Sequence, residues 1–559
     1  MKKISLTTLD RKYLFSLGLL FLVSSFFIFN KKADTIYSNI GSGFYLKPFE
    51  LVLTSERENT IRYTFNGSDP TNTSEIFHNQ LLITGMESSD SLSFINTTNN
   101  LSKYEKWVEP VGVQNKATIV KYASFKGDSI LTDVKTLSFF VKNDALDGKH
   151  QYNLPVISIS TDKKNLYSMD QGIFIAGDSL IKDQKHTGNF FQRGKEFERE
   201  VYFQYFNSKG ELDFELNIGM RIHGGVTRRF PQKSLKFYKR KSYDKVKVNF
   251  PFLAKKGVKR FIAEGMQESG GGRALIEDIV AQEIVKGIGL EQQNFQAVIV
   301  FINGEYWGLH TIRDRIDEKY LAYKFDLHRD SFDIIDGHAR KGYNPIYGDS
   351  SGYLFLLDFI KKNDLSKNKN YEFVSSKLDV DNFIDYYSVE IFFANRDWPV
   401  QNIKMWKKKS GKWRFLLYDL DGGFSHKSKK DIEEDHLFDM FTYLLNKEDC
   451  SGCLNPPIST LLFRGLSANL SFKKKFENRY KEIVNLYMDT LETIPIVDSI
   501  AKIYAPYMQE HIQRWGFPTS VKNQWERDIN THIKKFLLNR EEHTLRNLNN
   551  YIKRKESND

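Results

Sequence analysis

The spacing of hydrophobic and polar residues divides the chain into an alternating first part and a longer mixed part. From residue 36 to 142, short segments in which apolar and polar residues alternate are separated by Asn, Ser, Thr and Gly, as in a β-sandwich. Residues 61–65 alternate in this way and run into Asn66 and Gly67, a pair that favours a hairpin because it tolerates positive φ. Further strands are predicted at residues 117–125 and 134–141.

From about residue 150 to 552, strands come first and helices later, which is the order of an α+β domain. A polar stretch at residues 142–153 predicts the linker that precedes it. Strands are predicted at 156–160, 201–206, 214–222, 234–239, 296–302, 306–312, 402–408 and 413–417, and helices at 274–286, at 380–394 and after 458. The strands at 296–302 and 306–312 are predicted to form a hairpin through Asn303 and Gly304. The helix at 380–394 has its apolar residues three and four positions apart, so one face is expected to be buried.

The first 33 residues are predicted to direct the protein out of the cytoplasm. Lys and Arg residues precede an apolar run at residues 13–29, the pattern of a secretory signal peptide or of an N-terminal membrane anchor. Either alternative predicts a cell-envelope location and, for the anchor, contact with the membrane. Cys450 and Cys453 suit an oxidising compartment, where a small loop disulfide is favoured over a redox site because no strand–helix context surrounds them.

Composition and charge exclude several classes of protein. The 559 residues include 40% hydrophobic and 14% aromatic residues, so a mainly disordered chain is excluded. A single long apolar run excludes a multi-span transporter, and two cysteines exclude a Cys₄ metal site. The formal net charge of +11 is spread along the chain without a block of like charges. We therefore expect no dedicated binding of nucleic acid.

The loop after the 380–394 helix and the end of the following hairpin carry the candidate chemistry. Asp397 is followed five positions later by Asn402, so an Asp can deprotonate an acceptor hydroxyl while an Asn oxygen reaches a metal ion. Asp419 and Asp421 follow an apolar strand and precede two glycines, where carboxylate oxygens suit a hard cation such as Mg²⁺. A solvated turn or a calcium loop is the alternative for the second pair. The order of Asp397, Asn402 and Asp419 along the chain matches the order of the protein-kinase motifs. This order favours a catalytic role over a solvated turn.

A glycine-rich segment upstream is a candidate for binding phosphate. Residues 219–229 contain Arg221, three glycines and Arg228, so backbone N–H groups and guanidinium groups are available to phosphate oxygens. Lys233 has the side-chain parity of the following apolar strand residues and is expected to point into the cleft, whereas Lys236 is expected on the opposite face. A hairpin with solvated basic residues is an equally supported interpretation of this segment.

Two resemblances to known families follow from short motifs. Residues 63–71 (YTFNGSDPT) resemble the Y-T-x-D-G-S-D-P-T signature of the chitobiase C-terminal-like domain, with Asn66 in place of the usual Asp. This immunoglobulin-like module implies a spacer, or at most a contact with glycan or a surface. Seven further segments resemble the CotH (spore-coat protein H) kinase family: residues 154–160, 219–224, 231–236, 303–309, 313–317, 395–397 and 418–421.

The CotH resemblance implies an atypical, two-lobed, secretory-pathway-type protein kinase that uses ATP and Mg²⁺ or Mn²⁺ on Ser or Thr of a protein substrate. It gives Asp397 the catalytic role, Asn402 an assisting metal role, and Asp419, with Asp421 as the alternative, the metal-ligand role. Lys233 and Arg221, with Arg228 beside them, would hold phosphates. Asp314 stands where the family often has Glu, and Tyr418 where Trp is common, so the shorter Asp314 is expected to weaken any pair with the phosphate lysine.

Three functions remain open on the sequence alone. The first is an exported kinase that acts on secreted or envelope proteins. The second is a catalytically silent, kinase-like scaffold that assembles a surface structure through its β module. The third is a metal-dependent hydrolase of phosphate or glycan esters that uses the same carboxylates.

Overall fold

The computed structural model describes residues 34–84, 91–101, 106–142, 152–253, 257, 259–267, 274–338, 341–424 and 457–556. Within these ranges, no helix combines the length and the apolar character that a bilayer crossing needs. The predicted signal or anchor at residues 1–33 and the predicted disulfide between Cys450 and Cys453 both lie outside the described residues.

The first part of the chain is rich in β-strands, as the alternating pattern predicts. Its strands are β1 (Ile36–Ser38), β2 (Gly43–Tyr45), β3 (Phe49–Leu51), β4 (Leu53–Ser55), β5 (Thr60–Thr64), β6 (Glu75–Ile76), β7 (Leu81–Ile83), β8 (Thr118–Lys126), β9 (Ser129–Ile130) and β10 (Lys135–Val141). The largest sheet has the order β2-β10-β8-β5-β6, with β9 paired to β8, and β1-β4 and β3-β7 form two-stranded sheets. Strands β5 and β6 pair antiparallel, but the turn at Asn66 and Gly67 belongs to a longer connection because β6 begins only at Glu75.

Seven strands then close a barrel in the order β11-β12-β13-β14-β15-β17-β16. They are β11 (Val156–Ser160), β12 (Arg199–Phe206), β13 (Leu212–Ile222), β14 (Leu235–Tyr238), β15 (Arg260–Gly265), β16 (Phe295–Ile302) and β17 (Glu305–Asp314), with the short helix α1 (Lys163–Tyr167) after β11 and α2 (Glu277–Ile284) after β15. The hairpin predicted at Asn303 and Gly304 is confirmed, and both residues adopt positive φ there. Apolar side chains such as Phe203, Phe237 and Phe261 fill the barrel interior.

The remainder combines a four-stranded sheet with most of the helices. Its elements are α3 (Glu318–Lys324), β18 (Phe332–His338), β19 (Gly342–Tyr347), α4 (Ser351–Lys362), α5 (Asn368–Lys377), α6 (Val380–Phe392), β20 (Ile403–Lys408), β21 (Arg414–Leu416), α7 (Pro457–Leu466), α8 (Leu470–Tyr487), α9 (Thr490–Trp515), two π-helical segments (Val521–Glu526 and Ile529–Lys534) and α10 (Lys535–Glu556). The sheet order is β19-β18-β20-β21. The predicted helix at 380–394 and the hairpin at 402–417 are therefore confirmed, with ends that shift by one or two residues.

The β-rich part packs directly against the barrel. The amide of Ala117 donates to the carbonyl of Gly304 (2.7 Å), and the hydroxyl of Thr97 donates to the carbonyl of Pro231 (2.6 Å). Lys116 forms an ion pair with the fully buried Glu305 (2.9 Å). Because an unpaired buried carboxylate is costly, this ion pair favours a fixed placement of the first part on the barrel.

Candidate active site

Helix α6 positions the loop that contains Asp397. The helix is buried along nearly its whole length, and its last carbonyls, from Ile391 and Phe392, accept hydrogen bonds of 2.8 Å from the buried side chain of Arg540. A cation at a helix C-terminus is favourable because the helix dipole places negative charge there. Ala394 then takes a positive φ of 53°, which turns the chain sharply out of the helix.

Asn395 fixes the start of this loop. Its amide nitrogen donates to the buried carboxyl of Glu390 (2.9 Å) and to the backbone carbonyl of Asp419 (3.3 Å). Its oxygen accepts from the amide of Asp397 (3.2 Å). One side chain therefore connects α6, the Asp397 loop and the segment that contains Asp419.

The segment after β21 is held in an irregular conformation. Asp419 has a positive φ of 63° and Phe424 one of 57°, conformations that cost energy for residues other than glycine and concentrate at functional sites. The amide of Leu420 donates to Oδ1 of Asp278, at the start of α2 (2.7 Å). The amide of Phe424 donates to the carbonyl of Phe393 (2.9 Å). This segment is therefore fastened both to α2 and to the end of α6.

The two loops are in direct contact at Gly422. A Cβ atom built on Gly422 would lie 2.4 Å from Oδ1 of Asn395 and 3.4 Å from Cβ of Asp397, so no larger residue fits without displacing them. The amide of Arg396 also donates to the carbonyl of Gly422 (3.2 Å). Asp397 is exposed to solvent, as an acceptor of protons from an external hydroxyl must be. The structure thus brings together Asp397 and the 419–422 segment.

A group of carboxylates surrounds Asp419. Burial, and then the nearby charges of Asp421, Asp278 and Glu264, raise the pKa of Asp419 well above its usual range. Burial also raises the pKa of Glu264 to about 7, against the influence of Arg313. Nη1 of Arg313 lies 2.5 Å from Oδ2 of Asp278 and 3.5 Å from Oε2 of Glu264. Like charges held this close favour either a bound proton or a bound cation.

Asn402 lies at the end of the β20–β21 hairpin that leads to this group. The pairing of Lys404 with Leu416 is the last of the β20–β21 ladder, and Asn402 and Tyr418 each lie two residues beyond it. Asn402 has a positive φ of 61°. Nζ of Lys404 lies 4.2 Å from the centre of the Tyr418 ring, and the charge of Asp419 acts on this ammonium group. The predicted residues Asp397, Asn402, Asp419 and Asp421 therefore share one region.

The residues fit a divalent cation in the way that nucleotide enzymes use one. Across the described ranges, no three acidic, histidine or cysteine side chains are arranged as a ready metal site. Mg²⁺ bound with nucleotide usually takes one or two carboxylates and completes its shell with phosphate and water. Asp419 and Asp421 would supply that number of hard oxygen ligands, and burial together with the neighbouring carboxylates raises the pKa of Asp419.

The predicted orientation of Lys233 is wrong. Its side chain is fully buried, Nζ donates to the carbonyl of Arg228 (2.6 Å), and it lies 3.9 Å from the centre of the Phe190 ring in the barrel core. Lys233 lies on the same face of the chain as Leu235, as predicted. In the closed barrel, however, that face is turned toward the interior. The opposite face, which carries Lys236, is the one turned outward.

Arg228 is also occupied by structural contacts. Its guanidinium donates to the carbonyls of Gly224 (2.7 Å), Phe190 (2.9 Å), Gln192 (3.2 Å) and Ile222 (2.9 Å). With only 2% of its surface exposed, it braces the glycine-rich turn and is not placed to receive a phosphate.

Arg221 and Asp314 are placed differently from each other. Arg221 lies on the outer face of β13, opposite Lys236 of β14, and Nη2 pairs with Glu198 at 2.6 Å. Asp314 is buried, and its Oδ2 accepts from the amide of Asn294 (3.1 Å). The expected pair between Asp314 and Lys233 is replaced by these separate contacts.

Four residues at the site were not predicted. Lys236 shares the outer barrel face with Arg221, and burial together with neighbouring arginines lowers the pKa of Lys236 to about 7. Glu264, Asp278 and Arg313 come from β15, α2 and β17. Arg313 and Lys236 had a sequence signal, because each lies in a segment that resembles the CotH family, but neither was given a role at the site.

Comparison with known proteins agrees with this geometry. The family model described as CotH kinase protein matches residues 220–544, which is more than half of the chain. The chain belongs to the CotH kinase protein family. A chitobiase/beta-hexosaminidase C-terminal domain precedes it at residues 40–136. Both resemblances seen in the sequence are therefore confirmed.

Other comparisons add little to the family assignment. Among curated proteins, no sequence matches the chain. Among solved structures, the Helicobacter pylori proinflammatory kinase CtkA is similar at 10% identity and a TM-score of 0.24, covering 55% of this chain and 99% of CtkA. Membership of the CotH family makes this a kinase-like protein and implies, in general, ATP and a divalent metal ion.

Replacing Glu390 with Gln is expected to stabilise the protein at high pH. Burial raises the pKa of Glu390 to about 8, so its contribution to stability is complete below about pH 4.5 and is lost as the pH rises through 8. Gln stays neutral and still accepts from Asn395. The stability advantage of Glu390→Gln should grow by about 2–3 kcal/mol between pH 6 and pH 9, measured by thermal or urea unfolding. The exposed Glu372→Gln is the control, and an advantage that does not grow would contradict the assignment.

Proposed function

We propose that this CotH-family protein is an exported or membrane-anchored protein kinase. It transfers the γ-phosphate of ATP to Ser or Thr of secreted or envelope proteins. The observation that carries the proposal is the contact at Gly422 between the Asp397 loop and the segment of Asp419 and Asp421. That contact places an exposed carboxylate beside a group of carboxylates suited to a cation, which is the division of roles that phosphoryl transfer requires.

Asp397 acts as the base for the acceptor. Its carboxylate orients the Ser or Thr hydroxyl and takes the hydroxyl proton as the oxygen forms a bond to the γ-phosphorus of ATP. The bond between that phosphorus and the oxygen bridging it to the β-phosphate breaks, and ADP leaves with that oxygen. Asn395 keeps Asp397 in place through the hydrogen bond to the Asp397 amide.

Asp419, Asp421 and Asn402 are the residues that would hold Mg²⁺ or Mn²⁺. When bound there, such an ion would supply positive charge to the phosphate oxygens and to the leaving group. Asp278 supports the arrangement from α2 through its hydrogen bond with the Leu420 amide (2.7 Å).

The outer face of the barrel supplies the cations for the phosphates. Lys236 and Arg221 are neighbours across β14 and β13, and Arg313 lies on β17 beside the carboxylate group. Burial and nearby arginines lower the pKa of Lys236 to about 7, and a bound phosphate would stabilise its charged form. These residues take the role that the sequence had given to Lys233 and Arg228.

Export rests on the basic and apolar pattern of residues 1–33, which supports an envelope location and a protein substrate found there. The β-rich domain packs against the barrel, which supports a role as a fixed spacer. Contact with a glycan or a surface is a second role that this domain could have.

The test is incubation of the full chain with γ-labelled ATP, Mg²⁺ or Mn²⁺, and a generic unfolded acceptor protein, followed by identification of the labelled amino acid. We expect metal-dependent label on Ser or Thr. The absence of label, together with the absence of any metal-dependent thermal shift by ATP, would instead support the catalytically silent scaffold. Release of phosphate from a model ester without ATP would support a hydrolase.

A further inference from the structure

A strongly basic pocket lies at the end of β14 and β15, next to α3. Its volume is about 380 Å³, within the range of small ligand sites. Seven Lys and Arg residues line it together with Tyr238, Ser242 and Tyr323, and none of its described lining residues is acidic. Six of these seven basic residues are Lys195, Arg240, Lys241, Lys259, Arg260 and Lys319. We call this site the basic pocket.

Four guanidinium groups converge on the ring of Tyr238 at the base of the basic pocket. The distances from the ring centre are 4.6 Å for Arg221, 5.1 Å for Arg240, 5.3 Å for Arg315 and 5.8 Å for Arg260. The face of an aromatic ring attracts cations and offsets part of their mutual repulsion. Glu198 pairs with Arg221 and Arg240, and Asp317 pairs with Arg260 and Arg315, so carboxylates of the chain offset part of this charge. The seven cations of the lining still leave an excess of positive charge that favours an anion.

Carboxylates behind the pocket orient the two arginines that line it, Arg240 and Arg260. Glu198 accepts from Nε (2.5 Å) and Nη2 (2.8 Å) of Arg240. Nη1 of Arg260 donates to Asp317 (3.0 Å) and Glu318 (2.7 Å). In both arginines the remaining N–H groups stay available to a ligand, and a guanidinium held from behind loses little freedom when it binds a phosphate.

Lysines supply the rest of the charge from the rim. Lys195, Lys241 and Lys259 are exposed, and none of them has an ion-pair partner within the described part of the chain. Desolvation and the charges of Arg329 and Arg260 lower the pKa of Lys319. A pocket lined by one sign of charge concentrates ligands of the opposite sign.

The lining of the basic pocket includes neither Lys236 nor the carboxylates of the phosphoryl-transfer site, but Arg221 borders both sites, because it lies opposite Lys236 and over the Tyr238 ring. Strand β15 connects them, because Arg260 lines the pocket at its first position and Glu264 faces the Asp419 group four residues later. At about 3.3 Å per residue, Arg260 and Glu264 are about 13 Å apart along β15, a distance that four extended residues of a bound peptide can span.

We propose that the basic pocket binds a phosphorylated side chain of the protein substrate, about four residues from the hydroxyl that is being phosphorylated. The identity of the ligand rests on the proposed kinase function. The paired N–H donors of arginine and the ammonium groups of lysine together match the three terminal oxygens and the double negative charge of a phosphate monoester. A substrate phosphorylated once would be held for transfer to a second hydroxyl, so the enzyme favours clustered phosphorylation.

The test measures binding without turnover. A fluorescent peptide with two phosphoserines, and the same peptide with serines, are titrated with the full chain at physiological salt, without ATP or metal, and followed by anisotropy. The double variant Lys241→Glu/Lys259→Glu reverses two exposed rim charges and is compared with Lys361→Glu/Lys369→Glu, two exposed lysines of α4 and α5. The pocket variant should bind the phosphopeptide at least about 10-fold more weakly than wild type, and the control within about twofold.

Equal affinities for the two double variants, or no preference of wild type for the phosphorylated peptide, would overturn the proposal. Inorganic tripolyphosphate serves as a competitor: displacement of the peptide only at concentrations above the peptide's own dissociation constant supports a substrate side chain. Displacement at far lower concentrations would assign the pocket to a free polyphosphate and overturn the substrate assignment. Because the readout is binding, failure of the pocket is distinguishable from absence of kinase activity.

Discussion

Asp419→Ala is expected to abolish metal-dependent nucleotide binding and to leave the fold intact. The carboxylate is a candidate metal ligand, and even indirect supports of a metal ligand typically contribute 10–100-fold to affinity, so a loss of more than about 100-fold is expected. Burial and neighbouring carboxylates already raise the pKa of Asp419, so removing its charge relieves repulsion and should not lower the unfolding temperature without metal. Titration with ATP and Mn²⁺, followed calorimetrically, measures the loss.

Two variants control for this result. Asp330→Ala removes a carboxylate from an exposed turn with 90% side-chain exposure and should bind nucleotide like wild type. Asp419→Asn keeps the shape of the side chain and should lose binding nearly as completely as Asp419→Ala. Unchanged binding in either Asp419 variant would remove this residue from the proposed metal site.

Asp397→Ala is expected to show the opposite combination, with nucleotide binding retained and phosphoryl transfer lost. Asp397 is exposed and serves the acceptor hydroxyl, so the dissociation constant for ATP should change by less than about threefold. Loss of a general base lowers turnover by about 10²–10⁴-fold. Turnover is measured with γ-labelled ATP at saturating nucleotide.

Asp397→Asn separates charge from shape in the same experiment. It preserves the volume beside Gly422 and the hydrogen bond from the Asp397 amide to Asn395, so a loss of turnover equal to that of Asp397→Ala would identify the charge as the essential property. Equal loss of nucleotide binding in the Asp397 and Asp419 variants would contradict the proposed division of roles.

Local signals in the sequence were sufficient for most of the elements and for naming part of the candidate site. The hairpin at Asn303 and Gly304 and the helix before Asp397 follow from turn chemistry and apolar spacing, which depend on neighbouring residues. Asp397 and Asp419 became candidates because each closely follows a recognisable element. The structure adds that Asn395 and Gly422 hold the two segments together.

The remainder depends on contacts that no local pattern contains. The choice between Lys233 and Lys236 is decided by which face of β14 lies inside the barrel, and alternation alone gives two faces without saying which is interior. Asp278 reaches Leu420 across 142 positions of sequence. An acidic residue in the first turn of α2 is equally explained by its favourable interaction with the helix dipole. The position of Asp278 in the sequence therefore did not indicate that it contacts Leu420.

The most direct test of the central claim is a crystal structure of the full chain with Mn²⁺ and a non-hydrolysable ATP analogue, in which anomalous scattering locates the metal ion. We predict a manganese peak bound by Asp419, with the phosphates under Lys236 and Arg313 and the γ-phosphate facing Asp397. Nucleotide bound elsewhere, or a manganese peak away from both Asp419 and Asp421, would contradict the claim that the contact at Gly422 assembles a phosphoryl-transfer site.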